Sequence, residues 1–199
     1  AGSRLRSGSS LPDAASVLVA AGPHGYLPPT ETARLTEFLK NGGKALLLVD
    51  GVKLEPSTLS ATPQATSILA FIAAQGVTVN PDVVFDLRSN ENVSFGGSAF
   101  PIVLPYPFWI RSLPASESIV TKNIPSVVLP WTSSLEIQKD AIGDATVHEL
   151  LRATQFAGVQ KDSFTLAPNQ RLVFDENQLA TRLVGVALSN LRVQGSDKA

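Results

Sequence analysis

The sequence predicts an α/β fold whose first part, to about residue 88, is a doubly wound core of parallel strands. Apolar runs at 16–21 and 45–49 do not alternate with polar residues, which is typical of strands buried on both faces of a parallel sheet. An amphipathic segment separates them, so strand, helix and strand follow one another as in a βαβ unit. Prolines are dense from 100 to 130, which disfavours long helices and predicts a β-rich second part.

The first helix is predicted to have Thr30 as its N-cap and Glu31 in its first turn. The sequence Asn-Gly-Gly at 41–43 is expected to end it, because glycine adopts the left-handed conformation of a helix C-terminus at little cost. Its buried face is expected to consist of Leu35, Phe38 and Leu39.

A second helix is predicted to begin at 62–63, where Thr-Pro places a proline at the first helical position, and to end at Gly76. Short strands at 77–79 and 83–85 then complete the predicted parallel core. The apolar residues at helical spacing are Ile68, Leu69, Phe71 and Ile72.

The second half is predicted to be strands without intervening helices that extend the first sheet. A polar, glycine-rich loop is expected at 88–97. The segment 146–152 fits either a strand or a helix, and both alternatives stay open. Further strands are predicted at 127–129, 135–137, 172–174 and 183–188.

A single α/β domain is predicted for residues 13–193, with its core at 14–88 and its β-rich extension at 100–190. Residues 1–12 are expected to be a flexible linker or a cloning remnant, and 194–199 a polar tail. The longest unbroken apolar run is short, whereas a membrane span needs about 20 residues. The sequence has no methionine, so its initiator is missing, and we expect a piece of a longer protein that could carry the membrane anchors.

Composition excludes several classes of function. The 199 residues include 16 Lys and Arg against 17 Asp and Glu, and a net charge of -1 argues against binding to a nucleic-acid backbone. The absence of cysteine excludes disulfides, thiolate metal sites and a cysteine nucleophile. With only two histidines and no glycine-rich phosphate motif, we predict no metal and no cofactor.

One candidate site lies where the first two strands end. The loop that follows the first strand contains Pro23, His24 and Tyr26, and Asp50 closes the second strand. Ligands of open α/β sheets bind outside the carboxyl ends of the strands, so these residues are predicted to line a ligand or partner cleft. The alternative is an ordinary turn with a solvated histidine.

Polar and aromatic residues of the second half supply further candidates. Arg88 and Asn90, with Asp50, could form hydrogen bonds to a small polar ligand such as a saccharide, and Tyr106, Trp109 or Trp131 could stack against it. The same aromatic residues could instead cover a face of the sheet. The nearby acidic residues are expected to be solvated, or to include an aspartate–arginine pair; they are Asp82, Asp86 and Glu91.

Catalysis is the least favoured hypothesis. Ser98 lies in a Gly-Gly-Ser-Ala-Phe sequence that lacks the final glycine of a nucleophile elbow. The His148-Glu149 pair is followed by Arg152 where a zinc helix would have its second histidine. A hydrolase would have to use His24 with Ser98 or a carboxylate.

Four stretches, in order, resemble the extracytoplasmic domain of the GldG-type auxiliary component of ABC transport systems. The first is an apolar strand ending in Gly-Pro at 15–23, and the second runs from a helical segment through Gly-Gly-Lys and an apolar strand to Asp at 35–50. The third runs from Leu69 through Gly76 to Asp86, and the fourth is a Tyr-Pro segment at 104–110. Phe108 departs from the family, which often has histidine there. Weaker likenesses follow at 150–154 and 184–188.

The resemblance implies a flavodoxin-like or glutamine-amidotransferase-like parallel sheet. It also implies a non-catalytic accessory domain of a transport or gliding-motility complex, on the extracytoplasmic (periplasmic) side. In the full-length, membrane-anchored protein, the partners would be the permease and ATPase subunits of the ABC transporter. The resemblance carries no catalytic residues over to this sequence.

Overall fold

The computed structural model describes residues 17–22, 28–95, 102–115, 118–164, 166–168 and 171–193. The predicted linker and tail lie outside the described residues. The same holds for Pro23, His24 and Tyr26 of the predicted site and for Ser98. Within these ranges, no helix combines the length and the hydropathy that a membrane-crossing segment requires.

The predicted βαβ unit is present. Strand β1 (Val17–Ala21) pairs in parallel with β2 (Lys44–Leu48), and helix α1 (Pro29–Lys40) connects them. Helix α1 begins one residue before Thr30, and Pro28 occupies the N-cap position that was predicted for that threonine. Proline suits this end because its fixed φ is helical and its missing N–H would have no helical partner.

The second helix begins later than predicted. Residues 62–63 belong to β4 (Ser60–Pro63), which forms an antiparallel hairpin with β3 (Val52–Glu55). Helix α2 (Ser67–Ala74) instead begins after Thr66, whose hydroxyl accepts a hydrogen bond from the Leu69 amide. The Thr-Pro signal was misleading because a proline is also tolerated at the end of a hairpin strand.

The prediction of a parallel flavodoxin-like or glutamine-amidotransferase-like core is wrong. Strand β5 (Val77–Val79) pairs antiparallel with β10 (Leu135–Ile137), and β6 (Asp82–Asp86) pairs antiparallel with β12 (Ala157–Lys161). Among the described residues, β1 and β2 form the only parallel pair. Continuous apolar runs report that a strand is buried, but they do not report the direction of its neighbours.

Strands of the second half form their own antiparallel sheet rather than an extension of the β1–β2 pair. The order is β13-β11-β8-β7, with β9 also paired to β8. The predicted loop is a strand from residue 90, the ambiguous segment 146–152 is a strand, and 172–174 forms no strand. The members are β7 (Asn90–Phe95), β8 (Ile102–Pro114), β9 (Val127–Pro130), β11 (Thr146–Arg152) and β13 (Leu183–Ser189); a short helix α3 (Lys139–Ile142) precedes β11.

The β1–β2 pair is covered on one face. There, side chains of both strands pack with α1 and α2 around buried Leu35, Ile68 and Phe71, as predicted for those helices. Side chains alternate between faces along a strand. The other face carries Val17, Val19, Leu46 and Leu48, which remain between 49% and 58% exposed. We call these four residues the open sheet face.

Candidate functional site

A cavity of about 340 Å³ lies at the carboxyl ends of β1 and β2. We call it the sheet-end cavity. Gly22 and Asp50 border it at the two strand ends, and the first turn of α2 lies beside them. Trp131, in the segment that follows β9, closes the cavity. The other lining residues are Val49, Val52, Lys53, Leu54, Pro56, Gln64, Thr66, Ile68, Leu69 and Pro130.

The turn after β2 is held tightly against the rest of the domain. The Gly51 amide donates to Ser133 Oγ at 2.9 Å, and the Ser133 hydroxyl donates to the Asp82 carbonyl at 2.7 Å. A Cβ atom at Gly51 would overlap the backbone carbonyl of Asn80. Glycine at this position therefore lets the turn closely approach the β5–β6 turn, which sets the position of neighbouring Asp50 at the edge of the cavity.

Gln64 fastens the same turn from the other side. Its Nε2 donates to the carbonyls of Asp50 at 2.7 Å and Val52 at 3.3 Å, and its backbone amide donates to the Gly51 carbonyl at 3.0 Å. The hairpin of β3 and β4 brings Gln64 back beside the strand end. The wall of the cavity around Asp50 is thus held by hydrogen bonds.

Trp131 is fixed in an unusual backbone conformation, with a φ of 51°. Its amide donates to the Phe108 carbonyl at 2.8 Å, and its indole Nε1 donates to the Tyr106 hydroxyl at 3.0 Å. That hydroxyl donates in turn to the Leu166 carbonyl at 2.6 Å. Positive φ is costly for a bulky residue and persists where the surroundings enforce it, as these bonds do here.

Tyr106 is buried beneath Trp131. Burial raises the pKa of the Tyr106 phenol, and the hydrogen bond from Trp131 opposes that rise. The phenol therefore stays protonated at physiological pH, so it can accept from the indole and donate to the Leu166 carbonyl at the same time. This places Tyr106 behind the cavity wall, where it orients Trp131.

Trp109 stands edge-on to Trp131, with ring centroids 5.3 Å apart and planes at 89°. It packs on the core that contains Phe85 and Phe108. Its Nε1 is buried and has no hydrogen-bond partner within the described ranges. Trp109 and Tyr106 therefore support the aromatic wall, and Trp131 is the ring of the three that borders the cavity.

Arg88 and Asn90 belong to a turn organised by Asp86. The Asp86 carboxylate is fully buried and accepts from the amides of Arg88, Ser89 and Thr154 at 2.8–3.0 Å. Asn90 donates its side-chain amide to the Asp86 carbonyl at 2.8 Å. The Arg88 guanidinium lies 4.0 Å from the centre of the Phe156 ring. Neither Arg88 nor Asn90 lines the sheet-end cavity.

The expectation that Asp82 and Asp86 are solvated is wrong, since both are buried. Asp82 accepts from the Ser134 amide at 2.8 Å and from the Ser134 hydroxyl at 2.6 Å. Glu91 forms an ion pair with Arg111, a pairing that the sequence analysis did not predict. The two buried carboxylates have their oxygens occupied by protein donors, so they serve the fold.

A family model described as an ABC-type uncharacterized transport system matches residues 3–191. The chain belongs to this family of ABC transport auxiliary components. The family confirms the general relationship that the sequence motifs indicated. The match identifies an auxiliary component of an ABC transport system and does not identify the GldG type.

A solved structure titled mmIFT52 N-terminal domain is similar to this auxiliary component, at 18% identity and a TM-score of 0.47. The similarity covers 71% of this chain and 54% of the solved chain, so the auxiliary component spans about half the length of that protein. No curated protein matches the sequence.

One histidine–serine pair escaped the sequence analysis. In the auxiliary component, His148 Nε2 lies 2.8 Å from Ser189 Oγ, because β11 and β13 pair side by side. Both side chains are exposed on the sheet, and in the described part of the chain no carboxylate hydrogen-bonds to His148. The pair lacks the orienting third group that activates a serine nucleophile. No group of three potential metal ligands occurs among the described residues either.

Lys53 and Gln64 of the cavity were also missed by the sequence analysis. Both lie in the β3–β4 hairpin or directly after it. The available signal was the Asp-Gly turn at 50–51, which marks a sharp change of chain direction beside a strand end. If that turn is interpreted as the start of a β-hairpin, Gln64 is predicted to lie at the same sheet edge as Asp50.

Proposed function

We propose that the auxiliary component is a non-catalytic, extracytoplasmic domain that acts by binding the permease of its ABC transport system. The family match over residues 3–191 carries this proposal, because it ties nearly the whole chain to such a system. The GldG type and a role in gliding motility belong to the same proposal and are supported by the four motif stretches. The ATPase would join the complex through the permease.

The open sheet face supports a binding role. Parallel strands are normally covered on both faces, whereas Val19 and Leu46 are here 58% and 49% exposed. The four apolar side chains lie next to one another across the paired strands, because Val17 and Val19 lie in β1 opposite Lys44 and Leu46 of β2. A contiguous exposed apolar surface of this kind is typical of a protein contact.

Affinity capture of the full-length protein from native membranes is expected to recover the permease and the ATPase. Val19→Glu places a charge on the open sheet face and should lower that recovery at least about tenfold, as loss of an interface hot spot does. Val173→Glu is the matched control, because Val173 is an 80% exposed valine outside this face. A clean monomer without transporter subunits would overturn the accessory role.

The side of the membrane can be measured with one engineered cysteine, since the chain has none of its own. In full-length protein carrying Val173→Cys, we expect a membrane-impermeant maleimide to label the thiol while the inner membrane is intact. Full-length protein without the added cysteine gives the background. Labelling that requires a permeabilised inner membrane would contradict the extracytoplasmic location.

A further inference from the structure

We propose that the sheet-end cavity binds one neutral sugar ring, with Trp131 as its apolar wall and Asp50 and Lys53 at its polar rim. This inference goes beyond the accessory role and does not depend on it, because the cavity is formed by the chain alone. It rests on three features of the cavity: its size, the fixed orientation of the Trp131 ring and the charges of its lining residues.

The size of the cavity selects a small occupant. Its volume of about 340 Å³ is at the lower end of the range of roughly 300–1,000 Å³ that small-molecule pockets cover. The lining comes from four separate segments of the chain, so the cavity is a concave site and not a groove along one strand. A single ring fits such a space better than a peptide segment or an oligomer does.

Trp131 offers the cavity a rigid apolar surface. Indole has a single polar atom, and in Trp131 that atom is turned to the Tyr106 hydroxyl. The remainder of the ring is carbon and π surface. Its orientation is further held by the perpendicular Trp109 ring and by the amide bond to Phe108. A ligand therefore meets a wall that loses little conformational entropy on binding.

The polar lining is balanced in charge. The charged residues that line the cavity are Asp50 and Lys53, whose charges are opposite. Gln64 adds its side-chain carbonyl oxygen, because its Nε2 already donates to two backbone carbonyls. These groups offer donors and acceptors to hydroxyls without a net charge. A phosphorylated ligand would need more cations than Lys53, and the amino end of α2 already has its Leu69 amide bonded to Thr66. A molecule with one apolar ring face and a hydroxylated rim matches both walls.

Titration of the ¹⁵N-labelled chain tests this inference. Glucose, galactose and N-acetylglucosamine are added separately, and the signals followed are the Gly51 and Lys53 amides and the Trp131 indole N–H. We expect at least one sugar to shift these signals saturably. Asp50→Ala should weaken that sugar at least about tenfold, because the ligand hydroxyls lose a charged acceptor. Asp140→Ala, which removes an exposed acid outside the cavity, should leave the affinity unchanged.

A second variant tests the apolar wall, and Trp131→Leu should also weaken the sugar about tenfold. Because Trp131 packs on the core, the amide spectra of both variants without sugar are compared with that of the unchanged protein, so that loss of folding is seen separately from loss of binding. Absence of a sugar-dependent shift, shifts confined to other residues, or saturable binding of only inorganic phosphate or glycine would each overturn the inference. Asp50→Ala protein should still capture the transporter subunits normally. Failure of the sugar-binding inference is therefore distinguishable from failure of the accessory role.

Discussion

Gly51→Ala should lower the free energy of unfolding by at least about 3 kcal/mol, among the largest effects expected for one methyl group. The added Cβ would overlap the Asn80 carbonyl, which is backbone and cannot rotate away. Moving the turn to relieve the overlap would lengthen the bond from the Gly51 amide to Ser133. Urea unfolding followed by circular dichroism gives the change in free energy directly.

Gly42→Ala is the matched control for Gly51→Ala. Gly42 has a φ of 88°, and a Cβ there meets no atom within 4 Å. Only the left-handed backbone is then penalised, at about 1 kcal/mol. If the two variants unfold at the same urea concentration, close packing of the 50–51 turn against Asn80 does not contribute to stability as described. A large loss confined to Gly51→Ala confirms it.

Asp86→Ala should cost about 4 kcal/mol, because it leaves three amides in the interior without their acceptor. The lost bonds tie the turn after β6 to Thr154, which precedes β12. Asp86→Asn should cost about 2 kcal/mol, since it keeps one oxygen but removes the charge and turns an amide donor towards other donors. Urea unfolding measures both variants.

Hydrogen exchange localises the effect of the Asp86 variants. We expect the Arg88, Ser89 and Thr154 amides to lose protection first in Asp86→Asn, before the β1–β2 pair is affected. Asp140→Ala, an exposed acidic residue, should change the free energy of unfolding by less than about 0.5 kcal/mol. Equal stability of the Asp86→Asn and Asp140→Ala proteins would show that the buried carboxylate does not hold this turn.

The part of the fold that could be predicted is the part built from neighbours in sequence. The βαβ unit needs only a strand, a helix and a strand in succession, and its ends carry local signals. Gly42 and Gly76 have φ values of 88° and 85°, as helix-terminating glycines should. The helix residues Leu35, Ile68 and Phe71 were correctly predicted to be buried, because helical periodicity reports burial directly.

The pairing of β5 and β6 could not be predicted from the same evidence. Thr78 pairs with Glu136, and Val84 pairs with Val159, so the partners lie far away along the chain. Complete burial of β6 resembled a strand of a parallel sheet, whereas its neighbour β12 runs antiparallel. Local patterns carry no information about such partners, and the strand at 90–95 was missed because its sequence is polar.

The residues of the candidate site also divide into those that local sequence signals could predict and those that they could not. Asp50 was placed at a strand end by the local Asp-Gly turn, and it does line the cavity. The hypothesis that Tyr106 and Trp109 stack against a ligand depended on which aromatic ring faces the cavity. The hydrogen bond between Tyr106 and Trp131 decides this. Roles for Pro23, His24 and Tyr26 stay predictions, as do those of Arg88 and Asn90.

The interleaving of the two halves determines when the protein can fold during synthesis. The β1–β2 unit with α1 is complete once residue 48 has left the ribosome, so its contacts can form early. Strand β6 must wait for β12, which ends at Lys161, and non-local pairing of this kind is slow. Between the synthesis of β6 and that of β12 the apolar residues of β6 are without their final partner, and the nascent chain is exposed to aggregation in this interval.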